Sequence, residues 1–286
     1  MLGLLGLLGI LTGGLLPPDL PAAPADLRVM TFNIRWEGLD KDSNSWEQRK
    51  AGVVDLLRIH APDVFSLQEA SPGQTTFINE SLPNYHFSSS QHERSVYQPI
   101  FFRNDRFRLD SQGSFWLVEK SELQGGTRRC AWVRLVEMKS GRGLYIFNLH
   151  LDSRSANSRE SSVVRLMEEI SRRPFKDPFL VMGDFNAVET SPSISFLTGK
   201  IPLRDQSGQM RVNATPIRDA VRDVVPAGKA PGTAHGFKGN LDGPRIDYIF
   251  VSESITIRDA GIVRDSVNRR FPSDHFPVIA DIALVN

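Results

Sequence analysis

Short runs of β-branched and aromatic residues recur along the chain, and most of them meet a polar residue at one end. Each run has the length and composition of a β-strand. Several are apolar at both odd and even positions, as expected of strands that are covered on both faces. The runs are LRVMTFNI (27–34), DVFSLQE (63–69), CAWVRLVEM (130–138), GLYIFNLH (143–150), PFLVMGD (178–184), IDYIFVS (246–252), SITIRDAGIV (254–263) and FPVIADIAL (276–284).

Helical patterns separate some of these strands. SWEQRKAGVVDLLRIH (45–60) has apolar residues at helical spacing, and Ser45 with Gln48 predicts a capping box at its start. SRESSVVRLMEEISRR (158–173) carries an apolar face, and SPSISFL (191–197) begins with a serine followed by proline, as helices often do. Because some strands are consecutive and others are separated by helices, the sequence predicts an α/β sandwich with mixed sheets and external helices.

Polar residues fall where the predicted strands end or begin. In an antiparallel pair the start of one strand lies beside the end of its neighbour, so these residues can share one edge of the sheets. Each residue alone is more simply a turn former or a solvated strand end, but their joint placement predicts a site. The residues are Asn33, Glu69, His150, Asp184, Asn186, Asp247, Asp274 and His275.

Composition limits the function classes. The chain has 286 residues, of which 40% are hydrophobic and 23% charged, with a formal net charge of +1. This balance does not indicate the strongly basic surface of a sequence-blind nucleic-acid binder, although it is compatible with a locally basic groove. Cys130 is the only cysteine, which excludes an intramolecular disulfide and a zinc–cysteine cluster. The absence of a G-x-S-x-G motif disfavours a serine hydrolase.

The N-terminal sequence predicts export. Residues 2–16 are apolar and glycine-rich, and an A-x-A site ending at Ala25 follows, which is typical of a secretory signal peptide. The apolar run is short for a membrane span. We therefore expect a signal peptide over 1–25, a functional domain over 26–286 and a periplasmic or extracellular protein. Since no basic residue precedes the apolar run, an uncleaved anchor or a misassigned start codon is the alternative.

Six motifs in chain order carry a resemblance to a known family. They are Asn33, Gln-Glu ending at Glu69, Asn-Leu-His ending at His150, Gly-Asp-Phe-Asn ending at Asn186, Asp-Tyr-Ile-Phe starting at Asp247, and Ser-Asp-His ending at His275. The series resembles the endonuclease/exonuclease/phosphatase superfamily over about 26–286, and a bacterial branch of uncharacterised substrate in particular. The resemblance implies a four-layer α/β/β/α sandwich with two central mixed β-sheets and a site at one edge.

The resemblance also implies hydrolysis of a phosphate ester by in-line attack of activated water, with a divalent cation. Asn33, Glu69 and Asp274 are the implied metal ligands, and oxygen donors suit Mg²⁺ or Mn²⁺ rather than zinc. The implied metal would neutralise charge on the phosphoryl oxygens. Asp184 is the implied group that activates or positions the water.

The other site residues are implied to contact the phosphate. His150, Asn186 and His275 would bind it, and Asp247 would orient His275 and favour its charged form. His275 would hydrogen-bond a phosphoryl oxygen or move a proton. The resemblance leaves open whether Asp184 or a histidine is the general base.

We expect a metal-dependent phosphodiesterase or phosphatase that acts on a small, sugar or lipid phosphate, as a monomer without a stable membrane span. The first alternative is an exported nuclease, for which DNA or RNA is the substrate. The alternative of another class is a non-catalytic binding module on the same fold. The near-neutral net charge favours the first interpretation, and the complete set of site residues argues against the last.

Substrate choice lies in the loops, which the fold does not determine. Arg35 occupies the place where members of the apurinic-endonuclease branch carry an acidic ligand, so the number of metal ions is open. Arg129 and Arg154 are the first candidates among six arginines near strand ends or site-flanking loops that could hold a second phosphate or a sugar phosphate. The six are Arg94, Arg103, Arg128, Arg129, Arg154 and Arg159.

Overall fold

A computed structural model of the protein describes residues 26–88, 98–118, 128–225, 228, 231–267 and 270–284. The expected signal peptide over 1–25 and one candidate arginine, Arg94, lie outside the described residues. Within the described ranges, no helix has both the length and the apolar character needed to cross a membrane.

The described residues form strands and helices that alternate irregularly along the chain. The strands are β1 Asp26–Asn33, β2 Val64–Gln68, β3 Tyr85–Ser88, β4 Ile100–Arg103, β5 Phe107–Trp116, β6 Arg129–Glu137, β7 Gly143–His150, β8 Phe179–Asp184, β9 Leu203–Arg204, β10 Met210–Arg211, β11 Arg218–Asp219, β12 Asp247–Val251, β13 Ile255–Ile262 and β14 Val278–Leu284. The α-helices are α1 Trp46–His60, α2 Pro72–Ser81, α3 Ala156–Ser171, α4 Pro192–Leu197 and α5 Ala220–Val224, and a 3₁₀ turn covers Asp42–Asn44.

Two mixed sheets of six strands each form the centre of the protein. The first has the order β13-β14-β1-β2-β4-β3 and the second the order β11-β12-β8-β7-β6-β5, while β9 and β10 pair separately. In the first sheet β1 runs parallel to β2 and antiparallel to β14. In the second sheet β7 runs parallel to β8, and β8 runs antiparallel to β12.

Three clusters of buried apolar side chains hold the layers together. Residues such as Val29 and Met182 fill the space between the two sheets. Leu57 of α1 belongs to a cluster on the outer face of the first sheet. Leu166 of α3 and Phe196 of α4 belong to a cluster on the outer face of the second sheet. The predicted four-layer α/β/β/α sandwich is therefore confirmed.

The eight predicted strands match observed strands to within two residues at either end. The prediction missed six of the fourteen strands of the described residues, and five of the six have only two to four residues: β3, β4, β9, β10 and β11. The sixth, β5, was missed because FRLDSQGSFW mixes polar and apolar residues and lacks a continuous apolar run. The predicted capping box at α1 is wrong, since the Ser45 hydroxyl donates to the Asp42 carbonyl at 2.8 Å instead. A capping box occurs at α2, where Ser71 and Gln74 exchange hydrogen bonds of 3.0 Å.

The strand register brings chemically distinct side chains to one edge. His150, the last residue of β7, is paired with Asp184, the last residue of β8. Asp247, the first residue of the antiparallel strand β12, is paired with Asp184 from the other side. Three of the predicted site residues are therefore neighbours in the ladder.

Gly183 allows this arrangement, because its backbone has a φ of 150° and lies against the neighbouring strand. A Cβ at this position would lie 2.0 Å from the Leu149 carbonyl oxygen. We predict that Gly183→Ala lowers the free energy of unfolding by at least about 2 kcal/mol, through overpacking and backbone strain.

Urea unfolding monitored by circular dichroism measures this change. Gly208→Ala is the matched control, because Gly208 has a φ of 83° but open space around its Cα. The free energy of unfolding of this control should fall by only about 1 kcal/mol, because alanine is less stable than glycine in a left-handed backbone conformation. Equal losses in the two variants would contradict the steric account of Gly183.

Candidate active site

One edge of the two sheets gathers all the residues that the sequence predicts for the site. Each of these residues contacts another residue of the group, either directly or through one intervening residue. The residues are Asn33, Glu69, His150, Asp184, Asn186, Asp247, Asp274 and His275.

Asp184 lies at the centre of this group and is buried. Its Oδ2 accepts a hydrogen bond of 3.0 Å from the Asn33 amide, which belongs to the other sheet. The same oxygen lies 3.5 Å from Nε2 of His150. Its Oδ1 accepts a hydrogen bond of 2.8 Å from the backbone N–H of Asn186. The Asp184 carboxylate is thus fixed from both sheets and from the loop that follows its own strand.

Asn33 connects two carboxylates. Its amide nitrogen donates to Oε1 of Glu69 at 3.1 Å as well as to Asp184. Its oxygen accepts from the backbone N–H of Arg35 at 3.0 Å. The second Glu69 oxygen accepts from the backbone N–H of Trp36 at 3.1 Å. In this arrangement Asn33 orients Glu69 against Asp184, and its role as a metal ligand stays a prediction.

A buried polar network lies beneath the carboxylates, between the sheets. Nε2 of Gln68 donates to Oδ1 of Asn148 at 2.7 Å, and Nδ2 of Asn148 donates to the Leu67 carbonyl at 2.9 Å. Gln68 directly precedes Glu69, and Asn148 is two residues before His150. The network therefore ties the strand that carries Glu69 to the strand that carries His150.

Asp247, which is buried, and His275, which is slightly exposed, form a pair on the other side of Asp184. Nδ1 of His275 donates to Oδ2 of Asp247 at 2.9 Å. Burial alone would lower the pKa of His275, but the charge and hydrogen bond of Asp247, followed by the charges of Asp184 and Asp274, raise that pKa to about 10. His275 is therefore a protonated hydrogen-bond donor at neutral pH.

His235 supports the loop that carries Asp274 and was not predicted from the sequence. Its backbone N–H donates to the Asp274 carbonyl at 2.8 Å, and its ring stacks on Phe276 with centroids 3.9 Å apart. Burial, followed by the charge of His275, lowers the pKa of His235 to about 4, so the ring is neutral. His235 lies in the long connection before β12, so it does not stand at the end of a predicted strand and was not recognised as a site residue.

Three site residues have backbone conformations that non-glycine residues seldom adopt. The φ values are 60° at Arg35, 56° at Glu69 and 47° at Asn186. Left-handed backbone at such residues costs free energy, and it is typical of functional sites that the surrounding fold holds in place. The sharp turns that follow β1, β2 and β8 thus direct their side chains into the site.

Arg49 of α1 joins the loops on which the acidic residues lie. Its buried guanidinium donates to the backbone carbonyls of Ile34, Arg35 and Pro272. Burial lowers the pKa of Arg49 to about 10, which leaves the group charged at neutral pH. Sequence reasoning missed this residue because its partners are backbone carbonyls, which leave no pattern in the side chains.

Three of the arginines that the sequence suggested for substrate contact have different surroundings in the structure. The Arg129 guanidinium lies 4.1 Å from the ring centroid of Trp116 and donates to Ser114 at 2.9 Å. Arg154 is exposed. Arg159 donates to the Asp152 carbonyl at 2.8 Å. Arg129 and Arg159 are thus engaged in contacts within the protein.

Arg128 lies close enough to the site to interact electrostatically with two of its carboxylates, those of Asp184 and Glu69. It is half-buried, and burial lowers its pKa while the charges of Asp152, Asp184 and Glu69 oppose that change. Its Nε has no hydrogen-bond partner among the described residues. In contrast, Arg103 lies at the far end of the first sheet, where its backbone N–H donates to the Asp63 carbonyl at 2.9 Å.

The carboxylates at this edge fit a hard cation that prefers oxygen ligands. Glu69 and Asp274 keep unused lone pairs, since a carboxylate can accept about four hydrogen bonds. Asp184, Asp247 and His275 also offer ligand atoms within 4.8 Å of one another. That group includes an imidazole nitrogen, whereas Glu69 and Asp274 offer only the oxygen donors that Mg²⁺ and Mn²⁺ prefer, so the chemistry of the donors favours Glu69 and Asp274.

Comparison with known proteins identifies the family. The chain matches the family model described as Endonuclease/Exonuclease/phosphatase family over residues 30–275. Human tyrosyl-DNA phosphodiesterase 2 is 25% identical over 160 residues, which are 55% of this chain and 41% of that protein. Nocturnin of Drosophila melanogaster is 23% identical over 313 residues, which cover 93% of this chain and 48% of that protein. The chain spans less than half of the length of each of these two relatives.

A solved mannosyl-6-phosphatase of Bacteroides thetaiotaomicron has a similar structure, with a TM-score of 0.76 and 25% sequence identity. The match covers 90% of this chain and 99% of that one. The order of layers, the residues at the sheet edge and the match to the family model agree with the resemblance carried by the sequence motifs. The chain belongs to the endonuclease/exonuclease/phosphatase family of phosphoric ester hydrolases.

Proposed function

We propose that the protein is a divalent-metal-dependent hydrolase of a small, sugar or lipid phosphate. One observation carries this proposal. Asn33 holds the carboxylates of Glu69 and Asp184 together, while the pair of Asp247 and protonated His275 lies on the other side of Asp184. A phosphate ester has both negative oxygens that a cation can bind and an electrophilic phosphorus that a water molecule can attack.

Asp184 is the group that orients the attacking water and takes its proton. The hydrogen bonds from Asn33 and Asn186 fix the direction of its carboxylate, and such positioning is a major part of catalysis by a general base. Asn186 uses one amide N–H for the Leu151 carbonyl at 3.0 Å, which leaves its second N–H for the phosphate. His150, beside Asp184, supplies a further contact to the phosphate.

His275 binds a phosphoryl oxygen through its Nε2–H and stabilises the negative charge that grows there. Asp247 holds the ring through Nδ1 and keeps it protonated. A donor that is already oriented and charged needs no reorganisation during the reaction.

Glu69 and Asp274 are the residues that would hold a Mg²⁺ or Mn²⁺ ion. When bound, such an ion neutralises charge on the phosphoryl oxygens. Asn33 and the backbone of Trp36 orient Glu69 for this role.

The small-phosphate substrate is favoured by the near-neutral charge of the chain and by the mannosyl-6-phosphatase among its structural neighbours. A nuclease is the alternative, because the relatives of this chain include a tyrosyl-DNA phosphodiesterase and a probable RNA exonuclease of Saccharomyces cerevisiae. Export and a monomeric state stay predictions, and the first rests on the N-terminal sequence alone.

A substrate panel tests the proposed function. We predict hydrolysis of at least one small phosphate ester with Mg²⁺ or Mn²⁺, and loss of activity with excess EDTA. The panel contains hexose 6-phosphates, glycerol phosphate, a lipid phosphate, bis(p-nitrophenyl) phosphate, single-stranded DNA and RNA, with release of phosphate or product as the readout.

Full activity after exhaustive chelation would contradict metal dependence. Turnover of DNA or RNA alone would establish the alternative nuclease. Failure to hydrolyse any substrate with either metal would contradict the enzymatic proposal itself.

The pair of Asp247 and His275 gives a second prediction. His275→Ala and Asp247→Ala should each lower kcat by about two to four orders of magnitude, because each removes the charged donor from the phosphate. The double variant should be little slower than the slower single variant, since groups that act as a unit are not additive.

His60→Ala is the matched control, because His60 and Asp265 form another His–Asp pair of 2.8 Å outside the site. Its kcat should equal that of the wild type. A melting curve for each variant separates catalysis from stability. A loss of melting temperature in His275→Ala with unchanged turnover per folded molecule would show that the pair only fastens a loop.

A further inference from the structure

Arg35 places a fixed positive charge among the acidic residues of the site. Its Nε and Nη2 donate to the two oxygens of Asp40 at 2.8 and 3.3 Å. Its Nη1 lies 3.3 Å from Oδ2 of Asp274. The guanidinium therefore bridges one carboxylate outside the group of site residues and one carboxylate within it.

The backbone of Arg35 is held as firmly as its side chain. Its φ of 60° is in the left-handed region, which is unusual for an arginine. Its N–H donates to Oδ1 of Asn33 at 3.0 Å. Its carbonyl accepts from Nη2 of Arg49 at 2.5 Å and from Nε2 of Gln74 at 2.9 Å. Three hydrogen bonds thus stabilise a costly conformation that directs Arg35 toward Asp274.

This placement has a direct electrostatic consequence. Asp274 is one of the two carboxylates that would hold a divalent ion, and Arg35 already occupies one of its oxygens. A positive charge a few ångströms from a bound cation repels it, and the low dielectric of a partly buried site strengthens the repulsion. Arg35 also neutralises carboxylates that would otherwise repel one another when no metal is bound.

We propose that Arg35 is a built-in cation that competes with metal for Asp274, weakens divalent-ion binding and limits the site to one ion. The proposal rests on the metal dependence proposed above. In this proposal, Arg35 neutralises the negative charge that a second metal ion would otherwise neutralise. Glu69 remains available to the single ion. If Arg35 instead served only to bind the substrate phosphate, its replacement by alanine would leave the affinity for metal in the absence of substrate unchanged.

Metal binding without substrate tests the proposal. Isothermal titration calorimetry and electron paramagnetic resonance of Mn²⁺ give the affinity and the number of ions in the full-length protein. We expect one Mn²⁺ in the wild type. In Arg35→Ala we expect a Kd at least about ten-fold lower and a second, weaker ion, because Asp274 is released and one positive charge is removed.

Two control variants separate charge from other effects. Arg35→Lys keeps a positive charge but cannot reproduce the paired hydrogen bonds to Asp40, so its Mn²⁺ affinity should lie between that of the wild type and that of Arg35→Ala. Arg103→Ala removes a similar guanidinium, which pairs with Asp105 at 2.9 Å and lies at the far end of the sheet. Its Mn²⁺ affinity should equal that of the wild type.

Thermal unfolding gives a second readout that does not depend on the affinity measurement. Without metal, Arg35→Ala should melt at a lower temperature than the wild type, because its carboxylates are no longer neutralised. Saturating Mn²⁺ should raise its Tm more than it raises the Tm of the wild type, since tighter binding to the folded state stabilises more.

Equal Mn²⁺ affinity in Arg35→Ala and the wild type would overturn the proposal, and so would weaker binding in Arg35→Ala or two ions in the wild type. Absence of Mn²⁺ binding in both proteins would overturn it as well. The proposed function fails by a different result, namely the absence of turnover by the wild type on every phosphate ester of the panel.

Discussion

The arrangement of the site depends on hydrogen bonds between the two sheets. These bonds lie within the site and directly beneath it. The bond of 3.0 Å between Asn33 and Asp184 joins the ends of β1 and β8. The bond of 2.7 Å between Gln68 and Asn148 does the same for β2 and β7. Apolar packing alone would hold the sheets together without fixing their relative position to within a hydrogen-bond length. Buried amide pairs do fix it, because an unpaired buried amide is costly.

Electrostatics then divides the site into two parts. Glu69 and Asp274 form an acidic part that suits a cation, and Arg35 partly neutralises it. His275 forms a cationic part through its pair with buried Asp247. Asp184 lies between the two parts, where a water molecule held by its carboxylate can meet a phosphorus whose oxygens are bound on both sides. This division of charge suits a phosphate ester.

The sequence predicted the strands and the site residues for a common reason. A strand that is buried on both faces must be apolar until it reaches the sheet edge, so a polar residue such as Glu69 or His150 marks that edge in the sequence itself. The layer order followed from the family resemblance, whereas the register of the strands was not predicted and appears only in the structure. Arg49 and His235 could not be predicted, because they act through backbone carbonyls and ring stacking with residues far along the chain. The strand β5 was not predicted because it lies at the edge of its sheet and is less completely buried. Its sequence therefore mixes polar and apolar residues instead of forming an apolar run.

Asp184 gives the most direct test of the account, because both sheets and both charged parts of the site meet at its carboxylate. The decisive measurement is the initial rate of ester hydrolysis by Asp184→Asn, relative to the wild type, on a substrate that the wild type turns over at saturating metal. The asparagine keeps the shape of the side chain but cannot take a proton from water. The account predicts a fall in kcat of at least about a hundred-fold at unchanged melting temperature. A rate within a few-fold of the wild type would contradict it.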